Sequence, residues 1–290
     1  MKVLVIGSSG FIGQALVSRL LAEGHEVEAW DRRTGDAMPR LTVRTVNLLD
    51  SAPLPPPEGR PWDAAFHLAA HSVPGISWNR DLVLENLSMT ARVFDHLAEH
   101  ARGCRAIYVS SAFVYAPKQG AVAEDDPTGS SHPYALSKLL GEAWVLSKKE
   151  HLQVFLVRSF NQIGPGMSPG LLIPDILARI RSGESPLLMR GRNDIRDFLD
   201  WRDAIDAYIQ TLTVDAPSGR IWNLCSGRAT PVSELVLEVL KAMSVEAEVL
   251  FANPNQETLV GNPARLMKDT GWFPRRSLSD TARAILEAPH

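Results

Sequence analysis

Residues 2–13 of this chain of 290 residues have the sequence KVLVIGSSGFIG, an apolar run followed by three glycines. The run Lys2–Ile6 predicts a short buried β-strand. The helical spacing of the apolar residues in Phe11–Glu23 predicts a helix that begins directly after the second glycine and includes the third. The stretch therefore predicts a strand, a glycine-rich loop and a helix, which together begin a βαβ unit of a parallel sheet.

The glycines of this loop have distinct expected roles. Gly7 allows a tight turn, Gly10 lets backbone N–H groups approach a ligand, and Gly13 lets the helix lie close to the sheet. The backbone N–H groups of Phe11 and Ile12 open the helix, where unpaired donors and the helix dipole favour an anion. These five residues are therefore predicted to bind the pyrophosphate of a dinucleotide.

An acidic residue stands where the second predicted strand, 26–30, ends. Asp31 follows Gly13 by 18 residues and can accept hydrogen bonds from both hydroxyls of an adenosine ribose, which favours NAD. Arg32 and Arg33 follow at once and could instead hold a 2′-phosphate, which favours NADP. The predicted cofactor is NAD or NADP, with a slight lean toward NAD, and Asp31 and Arg32 are expected at its ribose.

The first half of the chain alternates apolar runs with helical stretches. Further strands are predicted at 41–47, 64–68, 105–110 and 153–158, and further helices at 81–100 and 132–150. This alternation predicts an α/β fold with a doubly wound parallel Rossmann sheet. After Arg158 the sequence is richer in Gly and Pro and predicts a smaller, discontinuous α/β C-terminal substrate domain.

The expected domains interleave along the chain. The dinucleotide-binding Rossmann domain is expected at 1–160, with a returning segment at about 186–222. The substrate-binding domain is expected at 161–185 and 223–290.

A phenol and an ammonium group lie four residues apart in Tyr134-Ala135-Leu136-Ser137-Lys138. Pro133 favours a helix start, so both side chains are expected on one face of the first helical turns. A neighbouring cation lowers the pKa of a phenol, which would let Tyr134 exchange a proton near neutral pH. The pair predicts acid/base catalysis beside the dinucleotide.

Two other polar positions belong to the same region. Ser110-Ser111 ends a predicted strand at the sheet edge that binds ligands, where a hydroxyl could hydrogen-bond a substrate carbonyl or cap the strand end. Asn86, inside the predicted helix 81–100, could bond backbone or water near the Tyr134–Lys138 pair, or stand at an ordinary exposed position.

The composition excludes several classes of protein. The formal net charge is −3, which favours neither a nucleic-acid nor a membrane partner. The N-terminal apolar run is too short for an export signal, and no stretch approaches the ~18 apolar residues of a membrane span. Cys104 and Cys225 are expected as buried free thiols, although one disulfide is possible. The expected location is cytoplasmic.

The segment His96-Leu97-Ala98-Glu99-His100 matches a zinc-peptidase pattern in which two histidines on one helix face hold the metal. Both histidines lie at a predicted helix C-terminus, where protonated histidine is favourable anyway. A crossover helix is also remote from the ligand edge of the sheet. We therefore expect no metal.

Together these features resemble the extended short-chain dehydrogenase/reductases that act on nucleotide sugars, the NAD-dependent epimerase/dehydratase family. The resemblance runs over nearly the whole chain. Its segments are GSSGFIG at 7–13, HLAAHS at 67–72, SSAFVY at 110–115, YALSK at 134–138, RSFNQIGPG at 158–166, RDFLDWRDAIDAY at 196–208, NLCSGRATPVSEL at 223–235 and TGWFP at 270–274. Several of them, together with Ser77-Trp78, are most similar to the GDP-4-keto-6-deoxy-D-mannose reductases of that family.

The resemblance implies roles for individual residues. Tyr134 would be the general acid/base, Lys138 would hold the nicotinamide ribose and tune Tyr134, and Ser111 would bond the substrate carbonyl. Contacts are also implied with adenine for Asn47 and Leu48, with the cofactor for Leu68, Ala69 and Ala70, and with the nucleotide diphosphate and its sugar for Asn161 and Arg196.

The chain departs from the family at two places. Sugar dehydratases carry an acidic residue just after the Ser/Thr position, where this chain has Ala112-Phe113, so elimination of water is disfavoured. The family also has an Arg–Pro that grips the diphosphate, where this chain has Asn253-Pro254. Arg190 or Arg192 could substitute, or the substrate could carry different phosphates or none.

These observations favour a ketoreductase that acts on a nucleotide-linked 4-keto-6-deoxy sugar. The alternative is a nucleotide-sugar 4-epimerase that keeps NAD tightly bound. A catalytically silent dinucleotide-binding protein is disfavoured by the intact Ser111, Tyr134 and Lys138. A homodimer is expected through the helices 81–100 and 132–150, as is common in the family.

Overall fold

The structure is a computed structural model that describes residues 1–36, 38–72, 79–129 and 132–288. The Ser77-Trp78 segment of the resemblance lies outside these residues. The strands are β1 (Lys2–Ile6), β2 (Glu26–Asp31), β3 (Leu41–Thr45), β4 (Ala64–His67), β5 (Arg105–Ser111), β6 (Ala121–Val122), β7 (Gln153–Ser159), β8 (Asn161–Ile163), β9 (Leu187–Arg192), β10 (Ile195–Arg196), β11 (Phe198–Asp200), β12 (Arg220–Leu224), β13 (Thr230–Pro231), β14 (Val249–Asn253) and β15 (Thr258–Gly261). The helices are α1 (Phe11–Ala22), α2 (Arg80–His100), α3 (Pro133–Leu146), α4 (Leu172–Arg181), α5 (Trp201–Gln210), α6 (Val232–Ala242), α7 (Ala264–Thr270) and α8 (Leu278–Glu287), and a short 3-10 helix spans Ala112–Val114.

Seven parallel strands form the central sheet in the order β12-β7-β5-β4-β1-β2-β3. The chain builds β1, β2 and β3 outward in one direction and β4, β5, β7 and β12 in the other. The order therefore reverses between β1 and β4, and open α/β sheets bind ligands at the carboxyl ends of strands at such a point.

Alternate residues of each strand pack against opposite helical layers. Val3 and Val5 of β1 belong to an apolar cluster with α1 and α5, whereas Leu4 and Ile6 belong to a cluster with α2. All four side chains are at most 1% exposed, so β1 is buried on both faces. The expected α/β fold with a doubly wound parallel sheet is confirmed.

The elements differ from the sequence prediction mainly in their ends and beyond Arg158. Helix α3 ends at Leu146 rather than Glu150, because Ser147 to His151 fold into turns in which His151 N donates to Lys148 O. Helices α7 and α8 were not predicted. Helix α8 nevertheless carries a sequence signal, because Ser277 and Asp280 form a capping box at its start.

The C-terminal part differs from the expected division at one point. Strand β9 pairs with β14 in a small separate sheet, so Leu187–Arg192 lies beside the C-terminal segment and not in the central sheet. The chain returns to the Rossmann layers only with α5 and β12. Helices α4, α6 and α8 share one apolar cluster with β9.

Two composition-based expectations can be compared with the structure. Cys104 and Cys225 are both buried free thiols, and burial raises the pKa of Cys104 to about 12. Within the described ranges, no helix has the length and apolar character needed to span a bilayer.

Candidate active site

Two adjoining cavities lie at the carboxyl ends of the central strands. The larger, of about 390 Å³, extends from the end of β2 past the loops after β1 and β4, and we call it the dinucleotide cleft. The smaller, of about 230 Å³, lies at the ends of β5 and β7, and we call it the catalytic pocket. Both are lined by Leu68, Ala70, Ser72 and Val109, so the two cavities meet at these residues.

The loop after β1 approaches its neighbours too closely for side chains. Gly7 has φ +86°, and a Cβ built on it would lie 2.8 Å from the Ala69 backbone nitrogen. A Cβ on Gly13 would lie 2.2 Å from the Gly7 carbonyl oxygen. These contacts are shorter than non-bonded atoms tolerate, so glycine is required at both positions.

The start of α1 presents free backbone donors to the cleft. Gly10 is the N-cap, and no side chain of the described residues caps this end. The N–H groups of Phe11, Ile12 and Gly13 therefore lack helical acceptors and, with the helix dipole, favour an anion. The cradle fits the pyrophosphate of a dinucleotide.

Asp31 lies at the cleft wall at the end of β2. Its carboxylate accepts hydrogen bonds from Ser9 N at 3.0 Å and from Arg33 N at 3.2 Å. Burial opposes ionisation of the Asp31 carboxyl, but the backbone hydrogen bonds outweigh it and hold the pKa below its ordinary value. Asp31 is thus fixed as an anionic acceptor, and Arg32 and Arg33 line the same wall.

The far end of the cleft is lined by Asn47 and Leu48, the two residues for which the resemblance implied contacts with adenine. An arginine that was not predicted holds this end in place. Arg92 of α2 donates to the carbonyl oxygens of Leu48 at 2.5 Å, Asp50 and Ala52. The loop after β3 is therefore fixed to the helix behind it. Leu68, Ala69 and Ala70 line the middle of the cleft.

Ser111, Tyr134 and Lys138 come together in the catalytic pocket. Ser111 ends β5, whereas Tyr134 and Lys138 lie one turn apart at the start of α3. The Ser111 hydroxyl hydrogen-bonds the Tyr134 phenol. The structure therefore places the three residues predicted for catalysis around one space next to the dinucleotide cleft.

The expected lowering of the Tyr134 pKa is wrong for the protein in this state. Burial raises the pKa of Tyr134 to about 12, and the hydrogen bond from Ser111 offsets this only in part. Lys138 contributes little because its ammonium group donates to the Val109 carbonyl at 2.8 Å and lies 5.9 Å from the Tyr134 ring centroid. Burial in turn lowers the pKa of Lys138 to about 8.

Asn86 connects the loop after β4 to the catalytic helix. It is 4% exposed, accepts from His71 N at 2.8 Å, and donates to His71 O and to Ser137 Oγ at 3.0 Å. Ser137 lies between Tyr134 and Lys138 in sequence. Asn86 is thus a buried linker to the catalytic helix, the first of the two alternatives that its position allowed.

A buried cluster behind Lys138 had no sequence signal. His67 is 1% exposed, its Nε2 lies 3.2 Å from Thr90 Oγ1, and burial and the Lys138 charge lower its pKa to about 3. The ring of Tyr108 lies 5.0 Å from the Lys138 ammonium nitrogen. Because His67 is neutral, Lys138 carries the positive charge of this cluster. The face of the Tyr108 ring attracts that charge.

Of the two residues for which the resemblance implied substrate contacts, only one lines the catalytic pocket. Asn161 lines the catalytic pocket and donates through Nδ2 to the Asp197 carbonyl. Arg196 lines neither cavity, because its guanidinium pairs with Asp194 at 2.6 Å and approaches Glu257. Arg192, opposite Asn253 in the β9–β14 register, pairs with the same two acids.

The zinc-peptidase pattern has a different environment. His96 Nε2 lies 3.0 Å from the Pro55 carbonyl oxygen, and the His96 and His100 rings lie 4.4 Å apart. No group of three or more His, Cys, Asp or Glu side chains in the described part of the chain is placed to hold a metal ion. The Arg190 side chain lies outside the described part.

A family model described as the NAD dependent epimerase/dehydratase family matches residues 3–225. GDP-6-deoxy-D-mannose reductase of Pseudomonas aeruginosa is 30% identical over an alignment that covers 98% of this chain and 96% of the relative. UDP-glucose 4-epimerase of Bacillus subtilis is 25% identical, with 97% and 94% covered.

Solved structures are similar over the same length. RMD from Pseudomonas aeruginosa complexed with NADPH is 28% identical, with a TM-score of 0.83 and with 98% of this chain and 97% of that chain covered. MoeE5 in complex with UDP-glucuronic acid and NAD is 25% identical, with a TM-score of 0.85 and with 99% and 98% covered. The similarity therefore includes both the dinucleotide-binding part and the C-terminal part.

Filling the cradle tests the dinucleotide cleft. Gly13→Ala puts a methyl group into the Gly7 carbonyl and should weaken dinucleotide binding about tenfold or more, because the loop must move. Titration calorimetry with NAD and NADP measures the dissociation constants. Gly191→Ala is the matched control, because a Cβ there contacts nothing within 4 Å. Equal affinities in the two variants would contradict the assignment.

The lowered pKa of Lys138 predicts a pH dependence of stability. Between about pH 8 and pH 10.5, the unfolded chain keeps the Lys138 proton that the folded protein has released. The free energy of unfolding of the wild type should therefore rise by about 3 kcal/mol relative to Lys138→Met across this range. Urea unfolding measures it, with Lys241→Met as a control at an exposed lysine. If the free energies of unfolding of wild type and Lys138→Met changed with pH in parallel, the prediction would be refuted.

Proposed function

The chain belongs to the NAD dependent epimerase/dehydratase family, and we propose that it is an NAD(P)H-dependent ketoreductase of a nucleotide-linked 4-keto-6-deoxy sugar. Relatives named reductase, dehydrogenase and epimerase establish an NAD(P)-dependent enzyme that acts on nucleotide sugars. The observation that carries the proposal is the convergence of Ser111, Tyr134 and Lys138 in a pocket that opens into the dinucleotide cleft.

The proposed roles follow from the geometry. Ser111 Oγ, at the end of β5, donates a hydrogen bond to the keto oxygen and stabilises the alkoxide that forms. Tyr134 gives its proton to that alkoxide, since a phenol with a pKa of about 12 is fully protonated at neutral pH. Lys138 holds the nicotinamide ribose and stabilises the resulting phenolate. When bound, the reduced nicotinamide supplies the hydride.

The two candidate reactions require opposite starting states of Tyr134. A ketoreductase begins with Tyr134 as an acid, whereas a 4-epimerase begins with the same residue as a base that takes a proton from the sugar hydroxyl. Burial favours the acid form. The epimerase remains the second candidate, because Asp31 favours NAD and relatives named UDP-glucose 4-epimerase match over 97% of the chain.

The lining of the catalytic pocket supports a 6-deoxy sugar. Phe113 is 46% exposed and lines the pocket with Ala112, Phe160 and Leu259. These side chains provide an apolar surface for a methyl group and no carboxylate that could drive elimination of water. We also propose that the C-terminal segments hold the sugar nucleotide, because Asn161 and Leu259 reach the pocket from them.

The reaction is tested with a nucleotide-linked 4-keto-6-deoxy sugar and either NADPH or NADH. We expect one reduced cofactor consumed per sugar reduced, measured at 340 nm and by product chromatography. Tyr134→Phe should lower kcat by ~10²–10⁴-fold and leave the dissociation constant of the cofactor unchanged, because it removes only the proton donor. Inversion of UDP-glucose at C-4 with no net change in cofactor would instead establish the epimerase.

We propose a homodimer through α2 and α3. Leu84 on α2 and Leu136, Leu140 and Trp144 on α3 are between 38% and 53% exposed, and α2 packs beside α3. Two neighbouring helices with exposed apolar side chains can bury them against a second copy related by twofold symmetry.

Charged substitutions test this interface. Leu84→Glu combined with Leu140→Glu should convert a dimer to a monomer, because each copy would bury two uncompensated carboxylates. Light scattering after size-exclusion chromatography measures the mass. Leu237→Glu, at a leucine of α6 that is 54% exposed, is the matched control and should leave the dimer intact. A monomeric wild type, or dissociation by the control alone, would disprove the interface.

A further inference from the structure

The amide of Gln162 lies on the wall of the dinucleotide cleft, next to the place where the cleft meets the catalytic pocket. Gln162 of β8 lines the cleft together with Tyr208 of α5, and its neighbour Asn161 lines the pocket. Of the four residues that line both cavities, Leu68, Ala70 and Val109 are apolar, and Ser72 is an exposed hydroxyl on the loop after β4. An amide among mostly apolar side chains requires hydrogen-bonding partners. The position of the Gln162 amide in the cleft therefore restricts which polar group of a ligand can bond to it.

The direction of a bound dinucleotide follows from the sheet. The pyrophosphate cradle lies at the end of β1, and Asp31, for the adenosine ribose, lies at the end of β2. The second nucleoside must then extend the other way, across β4 and β5 toward β7 and β8. Its nicotinamide ring therefore reaches the junction where Gln162 stands and where the catalytic pocket begins.

Gln162 is held by a buried tyrosine. Its Nε2 donates to the Tyr208 hydroxyl at 3.0 Å. Tyr208 is fully buried, its ring packs edge-on against Phe66 at 6.0 Å, and Ser159 also hydrogen-bonds its hydroxyl. Gln162 itself is half-buried, and none of the described residues donates to its Oε1. The amide is thus fixed through its nitrogen, and its oxygen is available.

We propose that Gln162 Oε1 accepts a hydrogen bond from the carboxamide N–H of the bound nicotinamide and that Tyr208 positions Gln162 for this contact. The ring of nicotinamide presents two different faces, and its carboxamide marks one edge. A fixed acceptor on that edge determines which face is turned toward Ser111 and Tyr134. The inference rests on the proposed function in one respect, that this cleft binds NAD(P).

A cofactor analogue tests the contact by binding alone. The 3-acetylpyridine analogue of NAD has a methyl group in place of the carboxamide nitrogen and so cannot donate to Gln162. The wild type should bind NAD about 5–10-fold more tightly than the analogue. Gln162→Leu should reduce this ratio to about 1, and Tyr208→Phe should reduce it in part. Calorimetry gives the dissociation constants. If the protein prefers NADP, the same comparison is made between NADP and its 3-acetylpyridine analogue.

Two controls make the result specific. Gln162→Glu keeps an acceptor at the same position and should retain the preference for the carboxamide. Asn47→Ala, at the adenine end, should change both affinities by the same factor and keep the ratio.

An unchanged ratio in Gln162→Leu, or a wild type that does not distinguish the two dinucleotides, would overturn the contact while leaving the proposed reaction intact. A wild type that binds neither dinucleotide would overturn the proposed function as well. Since no sugar is present, failure of the sugar assignment does not affect this experiment.

Discussion

A buried ion pair fixes the helix that carries the catalytic side chains. Arg158 of β7 donates to both carboxylate oxygens of Glu142 on α3, at 2.8 and 3.0 Å, and the two side chains are only 5% and 6% exposed. Ser110 of β5 donates to the same carboxylate at 2.5 Å. Removing one partner from such a pair leaves a buried charge, so α3 has one favourable position over β5 and β7. Lys138 lies one turn before Glu142, whose charge favours the ammonium form of Lys138.

Arg158 of this ion pair also connects the catalytic helix to the C-terminal part. Arg158 also donates to the Glu124 carbonyl, and the Glu124 side chain accepts from Asn223 N at 2.9 Å. Asn223 belongs to β12, from which the chain leaves the central sheet for the C-terminal elements. There the buried Asp197 accepts from Ser226 and from the backbone of Gly227 and Gly261. One set of buried polar contacts therefore runs from the catalytic helix to β12, and a second set, centred on Asp197, holds the loops beside Asn161.

The local features of the site could be predicted from the sequence, and the features that arise from tertiary packing could not. The glycine loop and the Tyr134–Lys138 pair are set by spacings of three or four residues, which helix and turn geometry convert directly into position. Gln162 and Tyr208 are 46 residues apart, and only the return of α5 to the sheet brings them together.

The Tyr134 pKa was mispredicted because burial outweighs the nearby cation. Arg196 was expected at the substrate, but it pairs with the nearby Asp194, and its approach to Glu257 depends on β10 and β15 lying side by side.

The outermost strand of the central sheet has a consequence for how the chain folds during synthesis. Strand β12 pairs with β7 from Arg220↔Phe155 to Leu224↔Ser159, and Trp222 stacks on Phe155 at 5.3 Å. About sixty residues of the C-terminal part separate the two strands. A nascent chain that ends anywhere before Arg220 therefore exposes the free edge of β7, a hydrophobic parallel strand that readily pairs with other chains. The edge of β7 is therefore covered only after β12 has been synthesised, so the central sheet is completed late, when about three quarters of the chain has been made.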